Sequence, residues 1–143
     1  MNPYTKPLPG ADPLAAPYWE HLRAHRLSIQ RCTQCGHRHF PPSPVCPACL
    51  SDAQEWEVVS GRATLLTWAT FHRAYWPSFK EDLPYDVCVV RLDEGPFVVS
   101  NFAKDVPLTP RLGLPLQVVF DDVSDTLTLP RFTVVPAAAA PAG

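Results

Sequence analysis

Apolar runs dominate the second half of the chain, and their lengths and spacing predict β-strands. Residues 58–71 are rich in Thr, Leu, Val and aromatics, with a break at Ser60-Gly61 near the start of this range. Residues 87–92 form a nearly continuous apolar run. The turn signal at 93–95 then leads into the apolar residues of 97–102. Strands separated by so short a turn pair with each other, so residues 87–92 and 97–102 are predicted to form a hairpin.

A second hairpin is predicted from residues 116–120 and 126–135, which are joined through the acidic segment 121–125. Together these runs make five strands over about 80 residues, which is typical of a small closed or partly closed barrel. Residues 136–143 are Ala, Pro and Gly only, and this composition predicts a disordered tail.

One amphipathic helix is predicted ahead of the strands, over residues 15–25. Tyr18, Trp19 and Leu22 fall on one side of this helix, and its charged residues face elsewhere. Three turns of helix are marginally stable alone, so the aromatic side must pack on something. The chain's own core and a partner subunit are the two candidates, and both stay open.

Two pairs of cysteines, Cys32 with Cys35 and Cys46 with Cys49, have the C-x2-C spacing and stand ten residues apart. Two such knuckles let four thiolates bind one ion tetrahedrally, at about 2.3 Å. Four protein ligands leave no open position for water or substrate. We therefore expect a structural rather than a catalytic Zn²⁺ site.

Other chemistries of these cysteines stay open. They could form two disulfides, or hold iron as in rubredoxin, because a four-thiolate tetrahedron accepts either metal. His37 or His39, beside the first knuckle, could replace one cysteine. Gly36 suits the tight turn after the first knuckle, whereas Leu50 follows the second, so the second turn is expected to close differently.

Composition limits the fold and the location. The chain has 143 residues, enough for one domain or two very small ones. Its 18 prolines disfavour long helices, and the four within residues 1–13 predict an extended arm. No apolar run reaches the roughly 18 residues of a membrane span. The first residues do not resemble a secretory signal, so the cytoplasm is the expected location.

The formal net charge of −2 is distributed unevenly. Residues 1–50 carry five basic and two acidic groups, whereas residues 51–143 carry seven basic and twelve acidic groups. A groove that follows a nucleic acid needs Lys and Arg, so the acidic half argues against a nucleic-acid partner. The change in charge also predicts a boundary near residues 50–57.

An unusual aromatic and basic segment follows the first predicted barrel strand. We select seven candidate contacts with a substrate or partner in and just beyond it: His72, Arg73, Tyr75, Trp76, Phe79, Lys80 and Tyr85. Aromatic rings beside basic groups can stack on a base, bind a phosphate or fill a partner's pocket. The alternative is that Phe71, Tyr75 and Phe79 cap the end of the barrel.

No catalytic residue is predicted. The sequence contains no G-x-S-x-G, P-loop or dinucleotide-binding motif. Its paired carboxylates lie in predicted turns, and His72 has no recognisable nucleophile in the sequence around it. Cys88 lies within the apolar run and is expected to be a buried core residue.

Motifs along most of the chain, read in order, resemble one known family. They are Gln30-Arg31-Cys32, Cys35-Gly36, Phe40-Pro41-Pro42, Cys46-Pro47, Cys49, Trp56, Ser60-Gly61, Phe71-His72, Pro84-Tyr85 and Leu92-Asp93-Glu94-Gly95-Pro96. This order resembles the DUF35 family of zinc-ribbon plus OB-fold proteins, over roughly residues 14–135. The resemblance implies a mainly β chain with four parts: an arm and helix (1–26), a four-Cys zinc ribbon (27–55), a five-stranded OB-fold barrel (56–135) and the tail (136–143).

The resemblance also implies a partner. DUF35 members accompany thiolase-fold enzymes, including lipid-transfer (SCP2-type) thiolases and aldolases that act on carbon–carbon bonds of acyl-CoA. Some assemble with hot-dog-fold hydratases in steroid side-chain breakdown. We therefore expect a non-catalytic accessory subunit that helps to form an acyl-CoA channel, with no organic cofactor of its own. The alternatives are a single-stranded nucleic-acid-binding module and an independent CoA-binding protein.

Overall fold

The computed structural model describes residues 4–104 and 108–135, so the predicted tail at 136–143 lies outside the described residues. The described chain is mostly β with one short α-helix, as predicted. Its elements are α1 (Ala16–Arg23), β1 (Ser28–Cys32), β2 (Arg38–His39), β3 (Gln54–Val58), β4 (Arg62–Phe71), a 3-10 helix (Pro77–Asp82), β5 (Tyr85–Leu92), β6 (Phe97–Ser100), β7 (Pro115–Asp122) and β8 (Thr128–Val134). Neither described helix is long and apolar enough to cross a membrane.

The ribbon is built on a three-stranded sheet in the order β2-β1-β3, with antiparallel pairing on both sides of β1. The sequence interpretation placed the first strand after the ribbon at residue 58 and did not include β3 as a ribbon strand. β3 carries two glutamates that pair with basic residues of the ribbon. Arg31 lies 3.2 Å from Glu55, and Arg38 lies 2.6 Å from Glu57. Arg31 and Glu55 lie directly opposite each other on β1 and β3, and such cross-strand pairs of opposite charge stabilise a sheet. Arg38 reaches from β2 across β1 to Glu57.

The second sheet has five strands in the order β6-β5-β4-β7-β8, and all neighbouring strands are antiparallel. Both predicted hairpins are confirmed, as β5–β6 and β7–β8. A parallel bridge between Phe102 and Phe132 brings the two ends of the sheet together. There the N–H of Ala103 donates to the carbonyl of Phe132 at 2.8 Å. The sheet is therefore a curled, partly closed barrel of the OB type, as predicted.

One hydrophobic core lies between the barrel, β1 and α1. Its fully buried side chains come from all three parts: Leu22, Leu27, Ile29, Leu65, Cys88, Val90, Leu92, Val98, Leu116 and Phe132. The helix packs on this core through Tyr18 and Leu22, while Trp19 lies at the margin. Burial raises the pKa of the Tyr18 hydroxyl far above its ordinary value. Tyr18 and Leu22 therefore lie inside the fold, and a partner contact on this helix stays a prediction for Trp19 alone.

The ribbon joins the barrel at Ser60 and Gly61, where the two parts touch closely. Gly61 has a φ of 79°, and a Cβ atom there would lie 2.2 Å from Cγ1 of Val118. A side chain at this position would collide with the barrel, so the close approach requires glycine. The Glu94 carboxylate accepts the N–H of Ser60 at 3.1 Å and ties the β5–β6 turn to the same joint.

Candidate metal centre and aromatic groove

The four knuckle cysteines meet at one point in the ribbon. Their Sγ atoms all lie within 4.8 Å of one another, and Cys32–Cys49 and Cys35–Cys46 are each 3.6 Å apart. Sulfurs bound tetrahedrally to one ion at about 2.3 Å lie about 3.8 Å from each other, so the cluster fits one metal ion. All four cysteines are free, and their separation exceeds the roughly 2.05 Å of a disulfide bond.

The two knuckles close with the same backbone geometry. In each, the N–H four residues after the first cysteine donates to that cysteine's carbonyl, at 2.9 Å for Gly36 and 2.8 Å for Leu50. Gly36 has a φ of 78° and Leu50 a φ of 66°. The expectation that the second turn closes differently is therefore wrong. Leu50 adopts the left-handed conformation that glycine adopts in the first turn, and its side chain is 73% exposed.

Backbone N–H groups point at the sulfurs of both knuckles. Gln34 and Cys35 donate to Cys32 Sγ at 3.4 and 3.5 Å, and Ala48 donates to Cys46 Sγ at 3.4 Å. The N–H of Cys35 is the main cause that lowers the pKa of Cys32 to about 6. Because the thiolate is the metal ligand, these N–H groups favour the form of the sulfur that binds metal.

Neither histidine beside the first knuckle joins the cluster. The ring of His39 is hydrogen-bonded to the side chain of Gln54 and stacks 6.0 Å from the ring of His37. Within the described ranges, the residues placed to hold a metal are the four cysteines. A closed set of four thiolates leaves no coordination position for substrate, so the ribbon holds a structural metal.

The aromatic segment divides into a packed part and an exposed part. Phe71 and Tyr85 stack across β4 and β5 with ring centroids 5.3 Å apart, and the ring of Phe79 lies 5.7 Å from Tyr85. Tyr75 touches the edge of Phe71 but is 70% exposed, and Trp76 is 57% exposed. Phe71 and Phe79 thus cover one end of the sheet, whereas Tyr75 and Trp76 present their rings to solvent.

The basic members of this segment are exposed at the surface: His72, Arg73 and Lys80. The Arg73 guanidinium lies 5.5 Å from the ring centroid of Tyr75, a cation–π contact. The seven predicted contact residues do not form one site, because Phe79 and Tyr85 alone line the groove that opens beside them.

This groove has a volume of about 660 Å³, which is typical of small-molecule sites. Its walls come from the N-terminal arm, the 3-10 helix and strands β5, β6 and β8. Aromatic rings and charged groups both line it: the rings are Tyr4, Phe79, Tyr85 and Phe102, the cations are Lys6, Lys104 and Arg131, and the carboxylates are Asp82 and Asp86. The arrangement can accept a ligand that has both an apolar or planar part and anionic groups.

Carboxylates fix the cations of the groove. Lys6 lies 2.8 Å from one oxygen of Asp82, and Lys104 lies 3.7 Å from the other. The hydrogen bond from Lys6 is the main cause that holds the pKa of Asp82 below its ordinary value. Arg131, whose side chain is 12% exposed, pairs with Asp121 at 2.7 Å. The pair between Lys6 and Asp82 also holds the N-terminal arm against the barrel.

Sequence reasoning did not find Tyr4, Lys6, Lys104 or Arg131 as lining residues. They belong to the arm, to the segment after β6 and to β8, and only closure of the barrel brings them together. No local motif connects these segments, so the sequence holds no signal from which the groove could have been found.

Two family profiles match adjoining parts of the chain. Residues 19–55 match the profile described as "ChsH2, rubredoxin-like zinc ribbon domain", and residues 56–121 match "ChsH2, C-terminal OB-fold domain". A DUF35 domain-containing scaffold protein from Pyrococcus furiosus is 34% identical over 103 residues, covering 71% of this chain and 74% of that protein. The chain therefore belongs to the DUF35 family.

Two other similar proteins come from a larger polypeptide and from an aldolase structure that names a second component. A probable enoyl-CoA hydratase alpha subunit from Thermomonospora curvata is 32% identical over 129 residues, or 89% of this chain, but the chain spans 39% of that relative's length. The solved structure named "Ltp2-ChsH2(DUF35) aldolase" matches with a TM-score of 0.77 and 30% identity, covering 87% of this chain and 97% of that one. A DUF35 protein from Sulfolobus solfataricus, with a TM-score of 0.55 and 11% identity, shows the fold alone.

Proposed function

We propose that this chain is a non-catalytic accessory subunit of a thiolase-fold enzyme, a thiolase or aldolase that makes or cleaves carbon–carbon bonds in CoA thioesters. One observation carries the proposal: the chain matches nearly the whole DUF35 chain of a solved aldolase complex, at 30% identity. The name of the Pyrococcus furiosus relative, a scaffold protein, supports the same role.

The metal centre supports an accessory role. Its four thiolates leave no position where a substrate could bind the metal, so the centre stabilises the ribbon and does not take part in a reaction. We assign the ion as Zn²⁺, which a four-cysteine ribbon favours, and Fe is the competing ion for the same donors. Elemental analysis of the purified protein separates the two: one zinc per chain is expected, and a red iron chromophore would contradict the assignment.

The groove supports a contact with the acyl-CoA substrate. A CoA thioester carries phosphates, an adenine ring and an acyl chain, and the groove offers cations beside aromatic rings. Lys6 and Arg131 would face the anionic part, and Phe79 and Tyr85 the planar or apolar part. The partner would supply the catalytic groups, and this chain would shape the passage by which substrate reaches them.

A hydratase is the second candidate partner. The Thermomonospora curvata relative is named as the alpha subunit of a probable enoyl-CoA hydratase, and this chain corresponds to 39% of its length. A hot-dog-fold hydratase in lipid or steroid side-chain degradation would then be the enzyme that this chain assists. The substrate class, an acyl-CoA, is the same for both partners.

Co-purification tests the proposed function. The affinity-tagged chain, expressed at native level in its source cells, should recover a thiolase-fold chain in stoichiometric amount, as identified by mass spectrometry. A tagged Cys46→Ser variant is the matched control, because it removes one metal ligand and should lose the partner along with the folded ribbon. Recovery of the chain alone, or turnover of acyl-CoA by the isolated chain, would contradict an accessory role.

A further inference from the structure

The barrel carries an apolar surface on its outside as well as a core on its inside. Side chains alternate between the two faces of a strand, and in β5 the buried residues Cys88, Val90 and Leu92 point inward. The intervening residues must therefore point outward. This explains why residues 87–92 are almost continuously apolar although the sheet has only one buried face.

Pairing in register extends this outer surface over three strands. Tyr85 lies opposite Phe71, Val87 opposite Ala69, Val89 opposite both Thr67 and Val99, and Arg91 opposite both Thr64 and Phe97. We call these outward positions the outer face of β4–β6: Thr64, Thr67, Ala69, Phe71, Tyr85, Val87, Val89, Arg91, Phe97 and Val99. Phe97 is 58% exposed and Val99 is 65% exposed, so the outer edge of this face is open to solvent.

This face is large enough to form part, but not all, of a stable protein interface. Residues 64–71 of β4, the eight residues of β5 and the four residues of β6, at about 3.4 Å per residue and about 4.8 Å between strands, cover about 330 Å². A stable interface needs about 800 Å² from each partner. Tyr75, which contacts Phe71, and the exposed Trp76 extend the face at the end where Phe71 lies. The face is therefore suited to a partner that also contacts the neighbouring loop.

The residue types on this face favour a protein over a nucleic acid. In OB folds this face, on the second and third barrel strands, is where ligands bind. Single-stranded nucleic acids require cations and stacked aromatics there. Here the centre is aliphatic, formed by Val87, Val89 and Val99, and Arg91 is the one charged residue among the ten outward positions.

The charges around the face favour a different chain over a second copy of this one. Arg91 lies at one end of the face, and Arg73 lies over Tyr75 near the other end. Two copies packed face to face would bring these cations together. A partner with an apolar centre and acidic groups at its rim would complement them.

We propose that the outer face of β4–β6 is the surface on which the thiolase-fold subunit docks, through an apolar patch flanked by acidic residues. This inference rests on the proposed function, because it names the surface by which the accessory subunit engages its enzyme. The face is distinct from the metal centre, and it shares Tyr85, Val87 and Val99 with the lining of the groove. Docking there would make this side of the groove part of the interface.

Binding measurements with purified subunits test the proposal. The probe is the thiolase-fold chain recovered by the wild-type protein, titrated with each variant by isothermal calorimetry. Phe97→Asp puts a charge on the face without touching the groove, and Leu112→Asp is the matched control, because Leu112 is 70% exposed outside this face. Phe97→Asp should weaken Kd at least tenfold, whereas the control should leave it unchanged. Arg91→Glu should slow association about tenfold, and less so at high salt.

The outcomes separate this proposal from the proposed function. If the wild type binds the thiolase-fold chain but Phe97→Asp binds it equally well, the docking surface is wrong and the accessory role stands. If the wild type recovers no thiolase-fold chain, both fail. Self-association of the wild type that Phe97→Asp abolishes, or binding of single-stranded oligonucleotides that Arg91→Glu abolishes, would also overturn the proposal. Unchanged thermal unfolding of each variant shows that any loss of binding is not a loss of fold.

Discussion

Replacing Leu50 by glycine removes backbone strain from the second knuckle. Leu50 has a φ of 66°, where a Cβ atom crowds the following carbonyl, and the equivalent position in the first knuckle is Gly36. An L-residue in this conformation costs about 1–2 kcal/mol. Glycine avoids this cost, but its greater conformational freedom in the unfolded chain lowers the free energy of unfolding by about 0.4–1 kcal/mol. The balance leaves about 0.5–1 kcal/mol in favour of glycine over alanine at residue 50.

The comparison with alanine isolates this backbone effect. Leu50→Ala and Leu50→Gly lose the same limited side-chain packing, since Leu50 is 73% exposed. Only Leu50→Gly relieves the strain. Gly36→Ala introduces the same strain in the first knuckle, where a Cβ would meet no atom closer than 3.8 Å, so its cost is conformational.

Chemical unfolding in guanidinium, at one fixed free zinc concentration, measures these differences because metal binding contributes to the stability of the ribbon. Leu50→Gly should be more stable than Leu50→Ala by about 0.5–1 kcal/mol, and Gly36→Ala should be less stable than the wild type by a similar amount. Equal stabilities of the glycine and alanine variants at residue 50 would refute the reasoning that the two knuckles share one strained backbone geometry.

Four further predictions concern the metal centre, the core, the arm and the free thiol. Cys46→Ser should lose the metal, seen by elemental analysis, and unfold the ribbon, seen by loss of dispersed amide resonances; retained metal would contradict a four-thiolate site. Phe132→Ala, at the barrel seam, should lower the free energy of unfolding by about 3–5 kcal/mol in guanidinium titrations, and a cost under about 1 kcal/mol would contradict the seam. Lys6 lowers the pKa of Asp82, so their ion pair is complete at neutral pH and is lost only as the pH falls through that lowered value. Asp82→Asn should therefore speed chymotryptic cleavage of the N-terminal arm at pH 7. An unchanged rate would contradict the conclusion that this ion pair holds the arm against the barrel. Burial raises the pKa of Cys88 to about 11, so iodoacetamide at pH 8 should label this thiol only after unfolding, and rapid labelling of the native protein would contradict its burial.

Local chemistry made the metal centre and both barrel hairpins predictable. Each C-x2-C motif is contained in a short stretch of chain, and each hairpin is indicated by a turn between two apolar runs. Leu50 shows the limit of this reasoning, because its left-handed conformation accompanies a hydrogen bond from its N–H to the Cys46 carbonyl that its residue type does not reveal. A leucine gives no signal for a turn that glycine usually forms.

Features that depend on distant segments were not predictable from the sequence. β3 was missed because its ladder partner and one of its ion-pair partners lie on β1, more than 20 residues earlier. The groove requires the bridge between Phe102 and Phe132, which joins the two ends of the five-stranded sheet. The double-sided character of β5 was visible as an apolar run, but the register with β4 and β6 was needed to tell its inner residues from its outer ones.

Reconstitution of activity tests the central claim most directly. The purified thiolase-fold chain is assayed for carbon–carbon bond cleavage of an acyl-CoA, alone and with an equimolar amount of this chain, and kcat/KM is compared. An accessory subunit that completes the acyl-CoA passage should raise kcat/KM at least tenfold. Phe97→Asp should remove most of this gain at subunit concentrations near the Kd of the wild-type protein. The account would be contradicted by full activity of the thiolase-fold chain alone, or by turnover of acyl-CoA by this chain without it.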